Sequence, residues 1–91
     1  MKLTGTIVTK DGIEVQAFLE IVNLSITEGI DSIGVHLYYL EGEKRKYICI
    51  DGSITKRYNH ELDPDSPLNY TKQAYEHLLT LPPYKNFHYT D

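Results

Sequence analysis

Apolar and polar residues alternate with a period of two through most of the first sixty positions, which is the signature of strands. In the run Glu14 to Val22, Val15, Ala17, Leu19 and Ile21 fall on one side, and Glu14, Gln16 and Glu20 on the other. One buried and one wet face is the character of an antiparallel sheet. Phe18 interrupts the wet side and marks a contact surface. Leu3 to Thr9 reads as the preceding strand, joined through Asp11-Gly12, the strongest short-range hairpin signal in the chain. Asn23 to Glu28 reads as a separate short strand with Leu24 and Ile26 on one side, punctuated by Gly29 and Asp31-Ser32. Ile33 to Leu40 sends Ile33, Val35, Leu37 and Tyr39 one way and His36 and Tyr38 the other. The polar turn Glu41-Gly42-Glu43-Lys44 leads into a strand from Arg45 to Ile50, which Asp51-Gly52 ends. Ile54 to Tyr58 is one more short strand.

The period changes once. From Tyr70 the spacing is helical, with Tyr70, Ala74 and Leu78 stacked and Tyr75, Leu79 and Leu81 widening the stripe. Lys72, Gln73 and Glu76 are left for water. Asp63-Pro64-Asp65-Ser66-Pro67 marks a loop before it. Ser66, Asn69 and Thr71 are the alternative caps, and Pro82 stops the helix by about residue 80. The predicted fold is α+β: a small antiparallel β-sheet, a meander or small sandwich of four to six strands, with one C-terminal helix at about 69–80 packed on it. Residues 1–83 form the single domain, and 84–91 a polar-aromatic tail.

Size sharpens this reading. A chain of 91 residues buries only about 60–65% of its unfolded surface, so it benefits from a disulfide, a metal or oligomerisation. The single cysteine, Cys49, rules out a disulfide within one chain, and its neighbours Tyr47, Ile48 and Ile50 predict a buried thiol on a strand. The start of the chain lacks the apolar core of a signal peptide, and no apolar run reaches the ~20 residues of a membrane span. These features predict synthesis in a reducing cytoplasm and no membrane partner. A net charge of −4 argues against nucleic acid as partner. Lys44-Arg45-Lys46 lies among acids and reads as a solvated hairpin tip.

Catalytic chemistry is not legible. His60, Glu61, Asp63 and Asp65 cluster, yet they lack the turn glycine and distal glutamate of a calcium loop. His77 reads as a helix-surface residue and His88 as a tail residue. Nucleophile elbows and phosphate-cradling glycine loops are missing from the sequence. The expectation is a non-enzymatic protein with no cofactor, metal or catalytic residues. What stands out instead is eight tyrosines and no tryptophan. Tyrosine is enriched where surfaces meet partners. The candidate interaction residues are Tyr70, Tyr75, Tyr84, Phe87 and Tyr89, the last three as aromatic anchors docking on a neighbouring subunit. Tyrosines on one sheet face, with His36 near Tyr38, offer an alternative: stacking a sugar or peptide in a small binding module.

The helix and its exit, through Tyr70, Gln73, Ala74, Tyr75, Leu78, Leu81 and Pro82, resemble the C-terminal segment of small bacteriophage and prophage proteins. The opening Lys2-Leu-Thr-Gly-Thr-Ile and the later Lys10-Asp-Gly are similar in style to those proteins. The resemblance implies a structural or assembly protein made in a bacterial host, with the virion as its destination. Its partners would be copies of itself or other virion proteins.

Overall fold

The structure is a computed structural model and describes residues 1–27 and 30–90. Its strands are β1 (Lys2–Val8), β2 (Glu14–Thr27), β3 (Ile30–Glu41), β4 (Lys44–Ile48), β5 (Thr55–Asn59) and β6 (His88–Thr90); the helix α1 spans Tyr70–Thr80. All pairings are antiparallel, in the order β4-β3-β2-β1-β6, with β5 also on β3. The α+β expectation holds, in the form of one six-stranded sheet carrying one helix. β3 is long enough to hold two short strands end to end: Leu37–Glu41 pairs with β4, and Ser32–His36 with β5. Between them the chain turns at Asp51-Gly52, where φ is 52° and 79°. A two-residue turn positive at both positions suits Asp-Gly and bends with the twist of the strands. It is closed by Ile50 and Ser53, which exchange backbone bonds of 2.9 and 3.1 Å.

Two strands expected separately are one. β2 continues past Val22 because a bulge there shifts the register, from Ile21 opposite Val35 to Asn23 opposite Gly34. The apolar positions change parity between Ile21 and Leu24, which looks like a break in the sequence. One extra residue absorbs the change and returns Leu24 to the face that carries Ile21. The end of the expected strand, Glu28, and the punctuating Gly29 lie outside the described residues.

One sheet face holds the core: Leu3, Ala17, Leu19, Ile33, Val35 and Leu37. The helix supplies Ala74, Tyr75 and Leu78, and the preceding loop supplies Leu62. Asn69 is the cap among the three alternatives, its side chain accepting from the Lys72 N–H at 2.8 Å. Gln73 binds the loop to the helix, accepting from Asp63 N–H at 2.8 Å and donating to the carbonyls of Asp63 and Leu68.

The last segment corrects the expected tail. Pro82–Tyr84 forms one turn of 3-10 helix, and β6 pairs with β1 from Lys2 to Thr4. Tyr84 and Phe87 are buried in the core, so residues 84–90 belong to the domain. Gly5 explains part of this: a side chain there would collide with the Phe87 ring, so glycine leaves the socket that Phe87 fills. Cys49 is also corrected. It is exposed, because β4 ends at Ile48 and the cysteine falls in the connection to the tight turn.

Candidate interaction surfaces

The five aromatic residues predicted to meet partners are mostly used within the chain. Tyr75 is buried, and its Oη sits at the corner where β1 begins and β2 runs on. It accepts from the Ile21 N–H at 3.1 Å and donates to the Met1 carbonyl at 2.8 Å. Tyr84 and Tyr58 share a hydroxyl bond of 2.6 Å, and Tyr84 meets Phe87 edge-on. Burial, then the bond to Tyr58, pushes the Tyr84 hydroxyl far above its ordinary pKa. Tyr89 lies under the Lys72 ammonium at 3.7 Å and is half-buried, as is Tyr70 in the first helical turn. The docking role expected of Tyr84 and Phe87 does not fit these positions, since both rings face this chain's own core.

The opposite face of the sheet carries an aromatic cluster. Antiparallel register sets Thr4 beside Phe18, Phe18 beside Tyr38 and Tyr38 beside Tyr47. Phe18 stacks on Tyr38 at 5.5 Å, Tyr47 tilts against Tyr38 at 5.8 Å, and His36 meets the Tyr47 edge at 5.2 Å. The Arg45 guanidinium covers Tyr38 at 4.4 Å and stands 3.8 Å from Glu20; Lys2 lies 5.2 Å from the Phe18 centroid. Tyr38 is thereby 1% exposed on the face away from the helix. Tyr47, first among its contacts, and then Tyr38 raise the Arg45 pKa. The sequence put His36 near Tyr38 and marked Phe18 separately as a contact surface; the register of β2 on β3 joins them. Tyr47 and Arg45 were not legible as members of the cluster, although counting back through the Glu41–Lys44 turn places Tyr47 opposite Tyr38.

The two sides of the sheet differ in charge. β4 and β5 form one side and carry Lys44, Arg45, Lys46, Lys56 and Arg57, five of the nine lysines and arginines, with no acid in either strand. On the other side β6 covers only Lys2–Thr4, and β1 begins level with the middle of β2. Gly5–Val8 and Val22–Thr27 therefore have no outer strand among the described residues. Those ten positions carry no ionisable group, where the chain's 24% share of charged residues would place about two. Val8 is 65% exposed and Ile26 55%.

A cavity of about 390 Å³ is lined by Ile7 and Val8 from the end of β1, Tyr39 of β3, and Tyr47 and Ile48 from the end of β4, with Lys10 and Cys49 also in its wall. Among the described residues no group of three or more His, Cys, Asp and Glu is placed to hold a metal. His60, from the acidic loop, instead stacks on His77 of the helix at 3.9 Å, with the rings 8° from parallel. Burial, and then His60, lower the His77 pKa. A folded state with the lower pKa binds fewer protons than the unfolded chain. Stability is therefore full above the ordinary histidine pKa of about 6.5 and falls as pH drops through it towards the folded value. Urea unfolding at pH 7.5 and 5.5 should show a larger loss for the native protein than for His77→Gln. Equal losses would remove His77 as the cause.

Among the described residues no helix is long and apolar enough to cross a membrane. No protein-family model, curated protein sequence or solved structure matches the chain.

Proposed function

We propose that this protein is a non-enzymatic assembly component that works through contacts between protein subunits. The observation that supports this most is the charge asymmetry of the sheet. Natural sheets guard their edges with lysines, prolines, bulges or very short strands, because unpaired backbone groups recruit other strands. Here the β4–β5 side carries the exposed Lys44 and Lys46, with Lys56 paired to Asp51 at 2.6 Å, and the β6 end is guarded by being three residues long. The remaining edge, Gly5–Val8 and the part of β2 past the bulge at Val22, is uncharged and partly apolar, which suits strand addition by a neighbouring subunit. The phage-like helix ending supports placing this assembly in a phage or prophage particle made in a bacterial host.

Mass in solution by light scattering, across a concentration series, tests the reading. An oligomer that grows in with concentration is the expected result. A single-chain mass throughout, with a melting temperature raised by oligosaccharides or peptides, would favour the binding-module reading. That alternative draws on the cluster of Phe18, His36, Tyr38 and Tyr47.

A further inference from the structure

We infer that the outer edge of β2 from Val22 to Thr27 is where a second copy of this chain pairs, antiparallel and about a two-fold axis at Leu24. The inference rests on the assembly reading and names its contact. β3 occupies the inner side of this segment, and among the described residues β1 pairs with β2 only from Leu19 back to Glu14. Tyr75 Oη takes the Ile21 N–H, so the chain satisfies its own edge up to the bulge and stops there. Beyond the bulge the sequence Asn23-Leu-Ser-Ile-Thr27 alternates strictly. Leu24, opposite the buried Ile33, and Ile26 lie on the helix side of the sheet; Asn23 and Ser25 lie on the other. Val22 is 39% exposed, Ile26 is 55% exposed and Leu24 is partly buried.

A two-fold axis perpendicular to the sheet keeps each face on its own side. Centred on Leu24, it sets Leu24 beside its own counterpart, Val22 beside Ile26 of the second copy, and Asn23 beside Ser25. Leu24 then continues the apolar row across the seam, and Asn23 and Ser25 continue the polar row on the other face. Cross-strand pairs of this kind are the unit of sheet stability. A strand of unrelated sequence would need the same alternation in the same register, which a second copy supplies by symmetry. The seam residues themselves carry no charge, and Arg57, which donates to Asn23 Oδ1 at 3.2 Å, meets them from the face away from the helix. Pairing two β4–β5 sides would instead set lysine and arginine against their own kind.

Light scattering on the native protein, Ile26→Lys and Val8→Lys tests the inference. Both substituted side chains are more than half exposed, so each variant keeps the core. The expected result is a dimer for the native chain and for Val8→Lys, and a single-chain mass for Ile26→Lys. An oligomer that survives Ile26→Lys overturns the β2 contact and leaves the assembly reading standing. Loss of the oligomer in Val8→Lys alone also overturns it and moves the contact to Gly5–Val8. A native chain that is monomeric throughout overturns both. Amide hydrogen exchange on the native protein gives a reading that needs no variant. The outward-facing amides of Val22–Thr27, which alternate with those bonded to β3, should slow as concentration rises, and concentration-independent exchange of these amides within an oligomer overturns the inference.

Discussion

A chain ending at Pro83 will lose its cooperative thermal unfolding. The truncation removes Tyr84 and Phe87, which are 2% and 5% exposed, together with the β6 pairing that covers the start of β1. Cutting one buried aromatic back to alanine costs about 3–5 kcal/mol. The whole stability of a domain is about 5–15 kcal/mol, and a chain of this length sits toward the lower end. Two such losses, with Lys2–Thr4 left unpaired, exceed what the rest of the core can hold. Circular dichroism through a thermal ramp should show a broad, non-cooperative change. A truncated chain that melts sharply within a few degrees of the native one would refute the view that residues 84–90 are part of the domain. Such a truncation is also a poor probe of assembly, because its effect on mass would report unfolding.

Gly5→Ala will lower the melting temperature, and its effect will depend on Phe87. Gly5 is in mid-strand and buried, and a methyl group there would collide with three carbons of the Phe87 ring. The ring is wedged between β1 and Tyr84, so relief requires β6 and the 3-10 turn to move with it. Overpacking of this kind costs about 1–3 kcal/mol. In a domain of this size each kcal/mol corresponds to about 4–8 °C. A double-mutant cycle with Phe87→Ala identifies the cause. Once the ring is gone the added methyl has room, so the two losses should sum to more than the double variant shows. Additive losses would mean that the strain at Gly5 comes from elsewhere.

Local rules in the sequence made most of the sheet legible. Alternation gave β1, β3 and the first half of β2, and the dipeptides Asp11-Gly12 and Asp51-Gly52 marked turns that the structure contains. The helix was equally plain, since Asn69 and Pro82 bracket a stripe of period 3.6. Features set by distant partners were not legible. The bulge at Val22 is visible only against β3, whose register decides which face Leu24 meets. Residues 84–90 looked like a tail because their pairing partner, β1, is about eighty positions away. Cys49 looked buried because its neighbours are apolar, but the strand ends one residue before it. For the candidate surfaces, composition hid the main signal. A net charge of −4 is an average, and it concealed a cationic side of the sheet and an uncharged edge opposite.

The position of β1, between β2 and β6, also sets the order in which the domain can form. Its pairing with β2 spans one short turn, whereas its pairing with β6 must wait until residues 88–90 have been synthesised. Closing a loop of that length carries a larger entropy cost than closing a hairpin, and contacts of long range form slowly. The hairpins of β1–β2, β2–β3 and β3–β4 can form while the chain is still emerging from the ribosome. Helix α1 and β6 join last, and until they do, the apolar face beneath them stays open. During that interval the Val22–Thr27 edge is already displayed on the β2–β3 pair, so the proposed pairing of two copies would not need either domain to have closed its core.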